Sequence, residues 1–525
     1  GGREPASAEI ADLERIAAGL DGLPLALELA AARLRVLAPA QLAARIEDVL
    51  CVLDAGGEAE PPTDPAARHQ TIRAAVAWSY RTLGPSEAWL LRRLSVFAGA
   101  VELSAIEWLH DGDPLAPLAT LVDKSMVQVE PGRSGATYRM LDPIRAFAAK
   151  RLAEAGEEPE ARGRQIDWCL RSVSTSLGGV SAAVSLYALD PLAEEFRAAL
   201  RWTVSTGEIG GGFAIVSGLR AWWCERGLAR EGRMWLFRLY DRMGTTGGTV
   251  PDAELAEAYH THAVLAGSDG EHGEALRFLD QAEDVARRCG DPALSTRIMA
   301  FRGPALMGLG RHDEAERTCR DVIALAQRQG LPGEALFAVY ALAELLWRRG
   351  ALDRAAALLA TARPIEAAQP PQRGRRTVDM ILGLVALSRG DLVAAHEYLL
   401  VALRSRMRHG FHARAGEALS AIAVRCALGG EPEMAARLFG AAQAARARMH
   451  CAPGTFGSFW ADHHGAVRER LGDATFDATY AEGGGLDLEE AGALALTVEH
   501  PDLVAGSVRF RGGSPSCPPP PGRTR

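Results

Sequence analysis

Apolar and polar positions along most of the chain recur with helical spacing. Ala, Leu, Arg and Glu dominate, and period-two alternation is rare. The exception lies between Leu118 and Leu141. There "LATLVDKS" predicts a helix, "MVQVE" a short strand, "PGRSGA" a turn and "TYRML" a returning strand. A helix followed by a small hairpin is the outline of a winged helix. Near the start, "GLDGLPLALELAAARLR" (Gly19–Arg35) leads a Gly-Leu-Pro-Leu step into an apolar run. Proline fits a first helical turn, where its missing N–H would have no intrahelical partner. A helix apolar on most faces is expected to be buried on most faces.

The second half carries a repeat. "GEHGEA", "GRHDEA", "GALDRA", "GDLVAA" and "GEPEMA" begin at Gly270, Gly310, Gly350, Gly390 and Gly430, each 40 residues after the last. Five residues beyond each glycine stands an alanine: Ala275, Ala315, Ala355, Ala395 and Ala435. Nine residues beyond come Leu279, Cys319, Leu359, Leu399 and Phe439. Eight residues before, the last three units have Leu342, Leu382 and Ile422, whereas the first two have His262 and Arg302, which predicts weaker packing on that face. Each unit reads as two helices and a tight turn. Glycine ends the first helix because it tolerates the left-handed conformation, and the small alanine lets the helices approach. One such hairpin cannot bury its apolar face alone, so neighbours stack into a solenoid. An earlier unit, "GLAREGRMWL" from Gly227, fits loosely, with Gly232 in place of the alanine.

Composition narrows the function. The 525 residues allow several domains, and a net charge of −8 gives no global basic footprint for nucleic acid. No run approaches the ~18–20 apolar residues of a membrane span, so no membrane partner is expected. Eight scattered cysteines with no C-x-x-C read as reduced thiols of a cytoplasmic chain. The start, Gly-Gly-Arg, reads as the start of a fragment. Two stretches read as linker and tail: "LDAGGEAEPPTDPAARHQ" (Leu53–Gln70), and the segment from about Gly506, which is expected to be disordered.

Candidate chemistry is sparse. The only lysines are Lys124 and Lys150, and neither follows a glycine, so no G-x-x-x-x-G-K-[ST] phosphate loop is present. There is no G-x-S-x-G and no H-E-x-x-H. "MHCAPGTFGSFWADHHG" (Met449–Gly465) gathers His450, Cys451, Asp462, His463 and His464, but its spacing matches no standard metal cluster and it reads as a solvated helical face. "AWWCERG" (Ala221–Gly227) reads as solenoid core rather than a ligand pocket, and "PPQRGRRTV" (Pro370–Val378) as a solvated basic loop. No catalytic or metal site is predicted, and the chain reads as no enzyme.

"DGLPLALELAAARLRVLAPAQLAARI" resembles the segment after the nucleotide-binding core of STAND-type signalling ATPases, the NB-ARC-like proteins that include large bacterial transcriptional regulators of LuxR or AfsR type. The resemblance implies that Pro24, flanked by Gly22 and Leu23, lies against a bound nucleotide in the intact protein. Ala38 departs from it, since a serine cap is common there. His69–Leu109 and Leu118–Leu152 resemble the helical link and winged helix of the same regulators. Met140-Leu141-Asp142 stands where many relatives carry Met-His-Asp, which implies a weak nucleotide role for Asp142 but no histidine contact. "AEEFRAALRW" (Ala193–Trp202) and Ala436–Leu496 resemble the tetratricopeptide-like sensor and its ending.

The expected fold is mainly α: a small helical bundle (1–52), a linker (53–70), a winged helix (71–152), a tetratricopeptide-like α-solenoid (155–500) and a tail (506–525). The resemblance implies a regulatory and sensor portion. Its partners would be an upstream nucleotide-binding domain, an unknown inducer or protein on the solenoid, and DNA through a module outside this chain. ATP or ADP belongs to the intact protein, and no cofactor is expected on this chain alone. Two other readings remain: a tetratricopeptide scaffold with no nucleotide role, and direct DNA binding by the winged helix. Residues 118–152 hold six basic side chains (Lys124, Arg133, Arg139, Arg145, Lys150, Arg151) against three acidic ones (Asp123, Glu130, Asp142), a small surplus.

Overall fold

The computed structural model describes residues 7–19, 27, 30, 31, 34, 37–44, 75–110, 112–132, 135–177, 185–449 and 457–498. Gly22 and Pro24, the linker at 53–70 and the tail from 506 lie outside the described residues. The chain divides into two compact units, Gly1–Cys169 with Leu192–Trp202, and Leu170–Pro191 with Thr203–Arg525. The first unit therefore runs past the junction expected near residue 155.

The first unit opens with α1 (Ser7–Gly19). Ile16 of α1 is buried with Ala30, Leu42 and Ala43, and Ala75 and Trp78 pack against this small core. Of the apolar run, Ala30 is buried and Leu27 half-buried, while Ala31 is exposed. Ala38 offers no capping side chain. Gln41 supplies half of the missing cap, its Oε1 accepting from the Ala38 N–H at 3.2 Å.

The winged helix comprises α2 (Pro85–Leu94), β1 (Val101–Glu102), α3 (Leu103–Leu109), α4 (Leu115–Asp123), β2 (Gln128–Pro131), β3 (Ala136–Arg139) and α5 (Asp142–Glu154). β3 pairs antiparallel with β2 on one side and with β1 on the other, with Val129 and Val101 both opposite Tyr138. The two-residue β1 is too short to register as an alternating pattern, and only its pairing with β3 reveals it. Leu90, Leu91, Ile106, Leu109, Leu118, Leu121, Ile144 and Leu152 form the core. α6 (Glu158–Ser176) and α7 (Ala193–Thr206) follow. Glu195 of α7 is buried and accepts from the Ala98 and Gly99 N–H groups at 2.8 and 2.7 Å, and from Gln165 Nε2 at 2.9 Å. It thereby holds the turn after α2 in place.

The second unit is a helical-repeat array. α8 (Ile209–Gly218), α9 (Arg220–Glu225) and α10 (Ala229–Thr246) lead into five hairpins. These are α11 (Asp252–Ser268) with α12 (His272–Cys289); α13 (Pro292–Ala300) and α14 (Arg302–Gly308) with α15 (His312–Gln329); and α16 (Leu336–Arg348) with α17 (Leu352–Ala368). Then come α18 (Pro370–Arg375) and α19 (Thr377–Arg389) with α20 (Leu392–His409), and α21 (His412–Leu428) with α22 (Pro432–Arg448). α23 (Gly457–Leu471), α24 (Asp473–Gly484) and α25 (Leu488–Leu496) close the unit.

Gly270, Gly310, Gly350, Gly390 and Gly430 lie in these turns with φ of +84°, +73°, +72°, +75° and +86°, a region that side chains rarely adopt. Ala275, Ala315, Ala355, Ala395 and Ala435 are all fully buried. A second series of glycines, Gly290, Gly330 and Gly410, ends the second helix of a hairpin with φ of +66°, +71° and +74°. The same 40-residue spacing puts Pro370 where the remaining member would stand. Seven residues before each turn glycine is a buried small residue: Ala263, Gly303, Ala343, Gly383 and Ala423. Where that residue is glycine, it faces the larger residue nine past the turn glycine. A Cβ on Gly383 would stand 2.5 Å from Leu399 Cδ2, and one on Gly303 would collide with Cys319 Sγ. At Gly232 a Cβ would reach Leu265 at 2.8 Å and Trp223 at 3.1 Å, which is why glycine replaces alanine in that earlier unit. α13 and α14 would be one helix but for Pro304, which has no N–H to offer Ala300.

Candidate functional site

Asp142 sits in the first turn of α5, and its carboxylate, 80 % exposed, pairs with Arg145 at 2.7 Å. Five basic side chains between residues 118 and 152 face carbonyls or carboxylates of the same domain. Lys124 Nζ donates to Thr82 O at 2.7 Å, Arg139 lies 3.7 Å from Glu130, and Arg145 also donates to Ala98 O. Lys150 and Arg151 both face Glu154, at 3.8 and 2.7 Å. Arg133 lies outside the described residues. α4, the helix before the hairpin, carries no basic residue and ends on Asp123. What it and β2 leave exposed includes the apolar side chains of Leu115 and Val129.

His262 corrects the expectation of weak packing in the first hairpin. Its ring is fully buried, stacks on Phe278 with centroids 3.6 Å apart, and bonds through Nε2 to Glu274 Oε1 at 2.8 Å. Arg233 bridges Glu274 and Asp269. Burial pushes the His262 pKa down to about 4 against the opposing pull of Glu274, so the ring is neutral at pH 7. Arg302, the other exception, pairs with Asp280 and Glu283 of α12 at 2.7 and 3.0 Å.

The second unit closes on itself. Tyr187 Oη donates to Met407 O at 3.0 Å, Arg226 Nη1 to Gly410 O at 2.7 Å, and the Arg414 N–H to Glu225 Oε2 at 3.2 Å. Gly227 approaches Met449 O so closely that a Cβ there would overlap it. Trp222 and Trp223 are buried beside this contact, with Trp222 Nε1 donating to Asp190 at 2.8 Å.

Charged side chains converge along the closure. Glu225 is 1 % exposed and faces Arg414 Nε at 3.6 Å, while Arg414 Nη1 pairs with Glu417 at 2.9 Å. Glu417 raises the Arg414 pKa, and Glu225 adds to it, against the cost of burial. Arg406 is fully buried. Its Nε donates to Arg375 O at 2.8 Å and its Nη1 to Arg414 O at 2.6 Å, while Nη2 has no partner. Burial lowers its pKa to about 10. The Cys224 thiol is pushed up by burial and by Glu225.

The stretch expected to be a solvated basic loop is ordered instead. Residues 370–375 form α18, and Ser405 Oγ donates to Gly374 O at 3.0 Å. Buried Glu366 caps α19 by accepting from the Thr377 and Val378 N–H groups at 2.9 and 3.1 Å, and takes the Tyr340 hydroxyl at 2.8 Å. Arg375 lies between two rings, 5.6 Å from the Phe337 centroid and 5.7 Å from that of Phe411. The reading from sequence missed Arg375. The available signal was Pro370, which interrupts the second glycine series and marks an irregular hairpin.

The 449–465 segment also departs from a purely solvated face. Residues 450–456 lie outside the described residues. His463 packs on Phe459, and His464 lies against Phe439, Phe476 and Tyr480. Among the described residues no His, Cys, Asp and Glu cluster could hold a metal ion, and no helix is long and apolar enough to cross a membrane.

Residues 83–153 match the family model described as a winged helix-turn-helix domain. The chain is similar to a protein of Mycobacterium tuberculosis named as an HTH-type transcriptional regulator, 30% identical over 295 residues, which cover 54% of this chain and 33% of that protein. An uncharacterized protein of Mycobacterium tuberculosis is 40% identical over 146 residues, covering 26% of this chain and 36% of its own length. The chain thus spans about a third of the length of the curated relatives it matches. Among solved structures, a STAND protein with a tetratricopeptide repeat sensor from Pyrococcus horikoshii aligns at TM-score 0.39 and 16% identity, covering 92% of this chain and 74% of that one. The Rap conjugation gene regulator of plasmid pLS20, in complex with its Phr* peptide, aligns at TM-score 0.38 and 13% identity, covering 54% and 79%.

Proposed function

We propose that this chain is the regulatory and sensor portion of a STAND-type transcriptional regulator. The solenoid takes an inducer or a protein. The bundle and winged helix pass that event to a nucleotide-binding domain by packing against it, with Gly22 and Pro24 at the nucleotide. Signal then means a difference in affinity between two states of the whole protein. The chain itself holds no nucleotide and carries out no catalysis in this reading, and DNA is met by another module.

The observation that carries the reading is the state of the winged helix. Between residues 118 and 152, Lys124, Arg139, Arg145, Lys150 and Arg151 each face a carbonyl or carboxylate of the same domain, while Arg92 and Arg93 of α2 pair with Glu157 and Glu160 just beyond it. The helix that would enter a major groove has no Lys or Arg and exposes Leu115. DNA affinity depends on cations free to neutralise phosphates, and this helix offers none within its own length. The name of the Mycobacterium tuberculosis relative supports a regulatory setting. Fluorescence anisotropy of the chain with mixed-sequence duplexes at low salt tests the point. The reading predicts no sequence preference. Selective binding that falls steeply with salt would establish the winged helix as a DNA reader instead.

A further inference from the structure

Arginines on this protein are usually paired: Arg226 with Asp190, Arg233 with Asp269 and Glu274, and Arg414 with Glu417. Arg375 is the exception that matters here. Its guanidinium has no hydrogen bond and no ion pair with any described residue, and its Nε is buried without a partner. The side chain is half-buried. The two Nη groups, unlike Nε, are not among the buried atoms left without a partner.

The surroundings keep these groups in place. Phe337 and Phe411 flank the guanidinium. Arg406 grips the Arg375 carbonyl, and Ser405 that of Gly374. Arg375, Arg406 and Arg414 share the carboxylates around them: Glu225 and Glu417 lie against Arg414, Glu417 also lies 3.8 Å from Arg406, and none of them bonds the Arg375 guanidinium. Burial, and then the Arg414 charge, lower the Arg375 pKa. A cation in this position gains from an anion more than a solvated surface arginine does.

We propose that Arg375 is the recognition residue of an oxyanion site, taking a carboxylate or phosphate group of the solenoid's ligand. Two parallel Nη–H groups match two oxygens of such a group, a geometry that lysine cannot reproduce. The flanking rings hold the fork before the ligand arrives, so little side-chain freedom is lost on binding. The proposal rests on the sensor reading only in calling this ligand an inducer.

The test titrates the full chain with two probes, inorganic phosphate and N-acetylglycinate, at constant ionic strength. Hydrogen exchange of residues 370–380 and 406–414 is the readout. Protection by either probe is expected, and the stronger probe tells a phosphate-bearing from a carboxylate-bearing ligand. Arg375→Gln should weaken binding by about tenfold or more, with Arg375→Lys in between. Arg311→Gln, which removes an exposed pair with Glu314, should change nothing. Absence of protection in the unmodified chain overturns the site, as does equal binding by Arg375→Gln. Either result leaves the sensor reading with an inducer of other chemistry. If the probe binds through Arg375 but does not alter nucleotide release in the longer parent polypeptide, the site stands and the sensor reading falls.

Discussion

Gly383→Ala is expected to destabilise the solenoid even though it improves an isolated helix. Gly383 lies within α19, where alanine gains up to about 1 kcal/mol over glycine. Here the new Cβ would stand 2.5 Å from Leu399 Cδ2 and 2.7 Å from its Cγ. Leu399 is fully buried on α20. Overpacking of this kind costs roughly 1–3 kcal/mol, so the net effect is a loss of about 1 kcal/mol. Leu399→Ala removes the obstruction, at its own cavity cost of roughly 2–5 kcal/mol. In that background Gly383→Ala should become stabilising. Gly465→Ala is the control, because the same methyl on α23 meets nothing within 4 Å. A chain of two units does not unfold as one two-state system. Exchange-derived free energies for peptides from α19 and α20 are therefore the assay. If Gly383→Ala stabilises these helices as Gly465→Ala stabilises its own, the facing of small residue and Leu399 is wrong.

Three further outcomes are expected. Ala355→Leu, at a fully buried crossing position, should raise exchange between about Gly310 and Gly390 and leave the winged helix protected, because repeats couple to neighbours; equal loosening of residues 118–141 would contradict the hairpin register. His262, with its pKa near 4 in the fold and about 6.5 unfolded, binds fewer protons folded than unfolded between those values. Its contribution is thus full above pH 6.5 and decays as pH falls, by about 2 kcal/mol between pH 7 and pH 5. His262→Gln should flatten the pH dependence of exchange-derived free energies for peptides from α11 and α12 over that range, and an unchanged slope would contradict this. The chain alone should neither hold nor hydrolyse ATP, having no Gly-Lys pair; micromolar affinity in equilibrium dialysis, or phosphate release above a blank, would overturn this.

The regular part of the solenoid was readable because each hairpin obeys the same two constraints, a left-handed turn and a close helix crossing, and each leaves a residue at a fixed interval. The same logic extended to Gly290, Gly330 and Gly410 and to the small residues from Ala263 to Ala423, although only the packing made them evident. The winged-helix hairpin was legible from its alternation, and β1 was not, since two residues carry no period. His262 was misjudged because sequence alone does not say that Glu274 and Phe278 meet it. Arg375 was misjudged for a related reason. A basic run reads as solvated until the fold shows that Phe337, 38 residues earlier, and Phe411, 36 residues later, enclose one of its members.

The proposed function makes this chain part of a nucleotide switch. Equilibrium ADP binding to the polypeptide that extends this reading frame upstream by about a domain length, some 100–200 residues, tests it most directly, with and without Pro24→Ala. The longer polypeptide is expected to bind ADP, and Pro24→Ala to weaken that binding while leaving the melting of the 525-residue chain nearly unchanged. No ADP binding by the longer polypeptide, or equal binding with and without the proline, would contradict it.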